Sequence, residues 1–189
     1  MIIAPRQYLL VIIGFSIFCA CEQGSRSATE EAYMMNKYAE KAERPSPPTE
    51  TQATFGQTSI TMFYSQPSVK GRVIWDGLVP YDKIWRIGAN EATIIKTSNT
   101  IIIEGDTINA GKYSFFTIPS ENTWTVMINK KSDLWGAYDY DEKYDVARFQ
   151  VVPVLVPEIV EKMTFTIDSM GIVEFAWANL RFNFQISEI

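Results

Sequence analysis

Histidine is missing from this chain of 189 residues, and its absence excludes several kinds of chemistry. Catalytic triads of the Ser-His-Asp type and Cys-His pairs both need an imidazole as the general base. Imidazole is also the commonest side-chain ligand of transition metals. We therefore expect neither a histidine-dependent hydrolase nor a histidine-bound metal.

Cysteine occurs only twice, at Cys19 and Cys21, near the end of the N-terminal apolar run. The rest of the chain has no thiol, so it can form no disulfide, no thiolate zinc site and no cysteine nucleophile. We predict no metal site and no bound cofactor.

Positive charge is also scarce, with 17 Lys and Arg against 22 Asp and Glu, and the net charge is −5. An acidic protein repels the phosphate backbone, so we predict no nucleic-acid partner. Apolar and aromatic residues are plentiful, at 47% and 13% of the chain, and suffice for a packed core.

Residues 1–20 are organised like an export signal, with Arg6 as a short basic region and an apolar run over residues 8–18. Ala20 precedes Cys21, an arrangement that resembles a bacterial lipobox, in which the thiol carries lipid after cleavage. We predict that a lipid on Cys21 attaches the protein to a membrane of the bacterial cell envelope. The alternatives are an ordinary cleaved signal and an uncleaved anchor, although the apolar run is shorter than the ~20 residues of a spanning helix.

Residues 21–57 are polar and include a cluster of prolines at Pro45, Pro47 and Pro48. Ser27 and Glu30 fit a capping box, which permits a short helix, but an isolated short helix is marginal in water. We predict that this segment is a flexible tether.

From residue 58 to residue 189 apolar and polar side chains alternate, which is typical of half-buried strands. The clearest alternation covers residues 180–186, and similar segments occupy residues 92–98, 100–104, 112–118, 123–129, 163–168 and 171–177. The pattern predicts an all-β domain, an antiparallel β-sandwich of about nine or ten short strands.

Turn residues predict how some of these strands connect. Ser98 and Asn99 predict a tight turn that pairs the strands on either side of it, and Gly111 predicts a second hairpin. Pro153 and Pro157 predict an edge strand between them, because proline cannot donate to a ladder.

The stretch at residues 64–93 concentrates aromatic and charged side chains on turns. We expect Gly88 to take a positive φ, and Arg86 and Glu91 to meet across that turn. In the functional interpretation, aromatic walls enclose polar groups that hydrogen-bond a ligand. The predicted site residues here are Tyr64, Arg72, Trp75, Tyr81, Trp85, Arg86, Asn90 and Glu91. In the alternative interpretation, an Arg–Glu pair fixes a structural corner and the tryptophans belong to the core.

A second candidate segment, residues 134–142, adds Trp135, Tyr138 and Asp139 to the predicted site. Its carboxylates are spaced like part of a calcium loop, but the complete pattern is absent. Aromatics with carboxylates are also typical of sugar-binding surfaces. Glycoside hydrolysis by two carboxylates, such as Glu91 and Asp139, is a further alternative.

Several blocks of this sequence resemble the domain of unknown function 2911 family. They are YSQPSVKGR at residues 64–72, WRIGANEAT at residues 85–93, AGKYSFFTIP at residues 110–119 and WGAY at residues 135–138. The resemblance covers about residues 59–186. It implies an exported or lipoprotein β-domain of bacterial origin and no assigned activity.

Three functions therefore remain open at this point. The leading hypothesis is an envelope-tethered module that binds a small molecule, a glycan or a protein partner through residues 64–93. The alternatives are a carboxylate-dependent hydrolase and a purely structural envelope module.

Overall fold

A computed structural model describes Lys41 and residues 43–189, and the predicted signal and lipidated Cys21 lie outside the described residues. The described chain forms ten strands and one short 3₁₀ helix, Glu142–Tyr144. The strands are β1 (Pro48–Phe55), β2 (Thr58–Ser65), β3 (Thr93–Thr97), β4 (Ile101–Ile103), β5 (Asp106–Ile108), β6 (Gly111–Ile118), β7 (Trp124–Asn129), β8 (Asp145–Val151), β9 (Val154–Ile167) and β10 (Ile172–Glu188). No helix in the described part of the chain has the length and apolarity needed to cross a membrane.

The strands form two antiparallel sheets, which confirms the predicted all-β sandwich. The larger sheet has six strands in the order β1-β2-β3-β6-β7-β8, and the smaller has four in the order β5-β4-β10-β9. β10 shows why the sequence folds this way: Leu180, Phe182, Phe184 and Ile186 are buried, while the residues between them face outward. Phe184 stacks on Phe115 of the larger sheet at 5.6 Å between ring centroids, so the core lies between the sheets.

The segment at residues 48–55, which was predicted as part of the tether, is instead strand β1. It pairs with β2 along its whole length, from Pro48 opposite Ser65 to Phe55 opposite Thr58. Sequence analysis did not identify this strand because its side chains are mostly Thr, Glu and Gln, which show no alternation of apolar and polar residues. The folded domain therefore begins before residue 58.

The two predicted hairpins are wrong. β3 lies between β2 and β6 in the larger sheet, whereas β4 lies between β10 and β5 in the smaller sheet. Asn99 lies where the chain passes from one sheet to the other. Its side-chain amide donates to the carbonyl oxygen of Gln57 at 3.0 Å. β5 and β6 likewise belong to different sheets, so Gly111 closes no hairpin.

One other strand prediction is confirmed, and a second is wrong about where one strand ends. β9, which contains Pro157, is an edge strand of the smaller sheet, as predicted. Residues 171–177 and 180–186 were expected to be separate strands but join in β10, in which Ala178 has a φ of 50°. The register with β9 shifts at this residue, which is the mark of a β-bulge.

The connection between β2 and β3, residues 66–92, spans the two sheets. Trp85 and Thr117 of β6 exchange backbone hydrogen bonds of 2.7 and 2.8 Å. On the other side, Val69 N–H donates to the carbonyl oxygen of Glu161 in β9 at 2.8 Å. This connection lies within the stretch singled out by the sequence. It is therefore hydrogen-bonded to strands of both sheets.

Candidate functional site

The backbone of the β2–β3 connection is strained at a residue that the sequence did not indicate. Gly88 is not in the left-handed region, contrary to expectation, but its neighbour Ile87 has φ of 45°. A β-branched residue rarely adopts this conformation, so its surroundings must hold it there. The Ile87 side chain is fully buried, and its carbonyl oxygen accepts a hydrogen bond from the Thr93 hydroxyl at 2.8 Å.

The backbone at Gly88 leaves little room for a side chain. A Cβ atom at Gly88 would lie 3.1 Å from the Thr93 hydroxyl oxygen and 3.3 Å from the carbonyl oxygen of Ser65. The connection is therefore packed closely against the end of β2.

The tryptophans of the connection belong to the core, as the structural interpretation proposed. Trp85 is stacked on Trp177 of β10 at 6.0 Å, and Trp75 meets Trp124 of β7 edge to face at 5.1 Å. The indole N–H of Trp85 donates to the carbonyl oxygen of Gly88 at 3.2 Å, which ties the ring to the strained turn.

The predicted pairing of Arg86 with Glu91 is not found. Glu91 accepts hydrogen bonds from Lys41 and from Arg44, the latter at 3.1 and 3.2 Å. The reason is that β1 and β3 both pair with β2, Pro48 opposite Ser65 and Ile94 opposite Phe63, so the chain entering β1 and the chain entering β3 lie at the same end of β2. Sequence analysis had placed Lys41 and Arg44 in a free tether.

These contacts decide the ionisation of Glu91. Burial alone would raise its pKa, but the hydrogen bonds and charges of Lys41 and Arg44 outweigh burial, and the pKa of Glu91 lies below its usual value. Glu91 is therefore a carboxylate at neutral pH and does not have the raised pKa of a general acid.

A cavity of about 390 Å³ opens beside the connection. Three cationic side chains line it, and no Asp or Glu among the described residues does so. The lining residues are Ser46, Pro67, Arg72, Leu78, Val79, Pro80, Lys83, Ile84, Trp85, Arg86, Gly88, Ala89 and Trp177.

Arg86 differs from the other two cations because its charge is desolvated. Burial lowers the pKa of the Arg86 guanidinium, against a smaller opposing effect of Tyr138. Its Nε atom is buried and has no hydrogen-bond partner among the described residues, and the same is true of the Trp177 indole nitrogen. Arg72, by contrast, donates to the carbonyl oxygens of Val69 and Ser68 at 3.1 and 2.5 Å. Two residues that line the cavity thus carry buried donor nitrogens that lack acceptors among the described residues.

The remaining predicted site residues lie in three other places. Tyr64 is buried between the sheets, where its hydroxyl accepts from Phe165 N–H at 3.2 Å. Asn90 and Glu91 lie beside Trp135, which is 54% exposed and lies under the Arg44 guanidinium at 5.8 Å from the ring centroid. Tyr81, exposed Tyr138 and exposed Asp139 do not line the cavity.

Other chemistry suggested by the sequence receives no support. Asp141, part of the partial calcium pattern, caps the 3₁₀ helix and pairs with Lys143 at 2.7 Å. In the described residues no three His, Cys, Asp or Glu side chains are placed to hold a metal ion.

The comparison with protein families gives the same assignment as the sequence blocks. A family model described as "Protein of unknown function (DUF2911)" matches residues 46–186. The chain belongs to the DUF2911 family. The match includes every cavity-lining residue, from Ser46 to Trp177, whereas Lys41 and Arg44 precede it. No curated protein and no solved structure matches the chain.

Sequence analysis of this DUF2911 domain found Arg72, Trp85 and Arg86 but missed Ser46, Lys83 and Trp177. Lys83 stands between predicted site residues and had a usable signal, since it is a cation between Arg72 and Arg86 in the same stretch. Ser46 and Trp177 are far away in the chain, and no local pattern links them to residues 64–93.

We expect replacement of Arg86 by methionine to stabilise the domain. The change removes a desolvated cation that has no ion-pair partner among the described residues, and it keeps an unbranched side chain. We expect the free energy of unfolding to rise by about 1 kcal/mol, which corresponds to a Tm increase of about 2–4 °C. Arg72→Met is the matched control and should lower the Tm, because it removes two hydrogen bonds. Thermal unfolding measures both, and a clear Tm decrease for Arg86→Met would assign Arg86 a structural role.

The stabilising effect of Glu91 should depend on pH. Because its folded-state pKa is depressed, the contribution is complete above the unfolded pKa of about 4.3 and is lost as the pH falls through the folded value. The unfolding free energies of the wild type and Glu91→Gln should therefore differ by about 1 kcal/mol at pH 7 and converge in acid. Denaturant titrations from pH 7 to pH 3 test this. An unchanging difference over that range would contradict it.

Proposed function

We propose that this DUF2911 domain binds a small organic anion, a carboxylate in particular, in the cavity beside the β2–β3 connection. The observation that supports it best is Arg86, a partly buried cation whose buried Nε atom has no hydrogen-bond partner in the described chain. Holding such a charge costs stability, and groups held at that cost are commonly functional.

The charges around Arg86 support an anionic ligand. Arg72, Lys83 and Arg86 line one cavity in a protein whose net charge is −5, so this positive region is local. A guanidinium group is suited to bidentate binding of a carboxylate or a phosphate.

The rest of the lining supports an organic ligand with an apolar body. Leu78, Val79 and Ile84 contribute aliphatic surface, and Trp85 and Trp177 contribute aromatic surface. The volume of about 390 Å³ lies in the range of small-molecule sites. An apolar wall with a few placed donors favours a molecule that has one charged group and a ring or short aliphatic chain.

Binding is better supported than hydrolysis. The carboxylate that the hydrolase hypothesis needs, Glu91, is held ionised by Lys41 and Arg44 and does not line the cavity. The cavity offers hydrogen-bond donors and positive charge, which serve to hold an anion.

Benzoate is a suitable probe because it combines a carboxylate with an aromatic ring, and benzamide is its uncharged counterpart. We expect benzoate, with a Kd of about 1 mM or tighter, to bind the wild type at least tenfold more tightly than benzamide. Arg86→Met should abolish this preference, and Lys96→Met, which removes an exposed cation of β3 outside the cavity lining, should retain it. Calorimetric titration measures the binding of both probes to each of the three proteins. Equal binding of both probes, or no binding of benzoate, succinate or inorganic phosphate, would refute the proposed function.

We further propose that the domain acts at the bacterial cell envelope, held by a lipid on Cys21. This part is supported by the signal-like residues 1–20 and by Cys21 alone. Cys21→Ser should move the protein from the membrane fraction to the soluble fraction of its host, as measured by fractionation and immunoblotting. Retention of the variant in the membrane fraction would contradict lipid attachment.

A further inference from the structure

The chain that leads into β1 runs across the β2–β3 connection and is attached to it at several points. We call Lys41 and residues 43–47 the strap. Asn90 donates from its side-chain amide to the carbonyl oxygen of Ser46 at 3.0 Å, and Gln66 N–H donates to the carbonyl oxygen of Pro47 at 2.9 Å. The strap is therefore placed against the same turn that carries Arg86.

The strongest attachment of the strap is the carboxylate of Glu91. It binds Lys41 and both of its oxygens lie within 3.2 Å of Arg44 Nη1. The side chains are partly shielded from water, with exposures of 19% for Lys41, 30% for Arg44 and 32% for Glu91. Arg44 also lies over the ring of Trp135. A shielded carboxylate with two cations holds more firmly than an isolated surface pair.

The strap is also part of the cavity wall. Ser46 lines the cavity, and so does Ala89, which is only two residues before Glu91. Moving the strap away would remove Ser46 from the wall and free the turn at residues 89–91 on one side. The contacts that hold the strap therefore also determine how open the cavity is.

We propose that the strap is a movable wall of the anion cavity and that Glu91 is its latch. Glu91 is a positioning residue: it touches the strap and acts on the cavity through Ser46. The role of the cavity in anion binding rests on the proposed function, but the movement of the strap does not.

Chemical labelling of a single introduced thiol tests the movement without any ligand. In the full chain, Ala89→Cys places a thiol in the cavity wall, and N-ethylmaleimide reacts with it at a rate that reports access. Mass spectrometry of the peptide that contains position 89 separates this reaction from labelling of Cys19 and Cys21. Trypsin cleavage after Lys41 under native conditions reports release of the strap itself.

We expect Glu91→Gln to raise both the labelling rate at position 89 and the cleavage rate after Lys41 by on the order of tenfold, which corresponds to about 1.4 kcal/mol. Glu158→Gln is the matched control, since Glu158 is an exposed carboxylate that pairs with Arg181 at 3.3 Å on β10. This control should leave both rates at the wild-type values.

A charge exchange distinguishes the latch from general loss of stability. Glu91→Lys combined with Lys41→Glu and Arg44→Glu restores opposite charges across the same contact, so the labelling rate should return toward the wild-type value.

Faster cleavage in Glu91→Gln without faster labelling would show that the strap is no part of the cavity wall and would overturn the proposal. Unchanged rates would overturn it as well, and so would failure of the exchange to restore protection. If benzoate does not bind but these rates change as expected, the proposed function is refuted, whereas the proposal that the strap is a movable wall of the cavity is retained.

Discussion

The stacking of Trp85 on Trp177 is the contact on which the candidate site depends. Trp85 belongs to the β2–β3 connection and exchanges backbone hydrogen bonds with Thr117 of the six-stranded sheet, whereas Trp177 lies on β10 of the four-stranded sheet. One residue of the connection is thus joined to both layers. Because burial of an aromatic side chain is among the largest contributions a single residue makes to stability, this anchor can hold the strained Ile87 and the desolvated Arg86 beside it.

Charge is distributed unevenly around this anchor. The carboxylate of Glu91 is occupied by Lys41 and Arg44, so it is not available to Arg86, which lies five residues earlier. If the two residues had paired with each other, the turn would be a closed structural corner. Instead, the strap neutralises the acid, and the cavity keeps its positive character. The structural and functional interpretations of this stretch therefore each describe part of it: the tryptophans pack in the core and the arginine lines a cavity.

Sequence patterns predicted those parts of the site that depend on neighbours in the chain. Arg72, Trp85 and Arg86 lie within 15 residues of one another and were found together. Ser46 lies just before β1, and Trp177 lies in β10. They come to line the cavity only when both sheets pack around the connection. The left-handed conformation was expected at Gly88 because glycine adopts it most easily, but tertiary packing imposes it on Ile87 instead.

The sequence by itself determined the fold class and the family of this protein. Alternation with a period of two is a local property, and in β10 it places every second side chain from Leu180 to Ile186 in the core. Only the tertiary structure decided which sheet each strand joins, as with β3 and β4 on either side of Asn99. It also decided the partners of Glu91, which lie 47 and 50 residues away. The physical reason is that pairing across such distances depends on the relative free energies of whole arrangements of strands, and local alternation does not encode it.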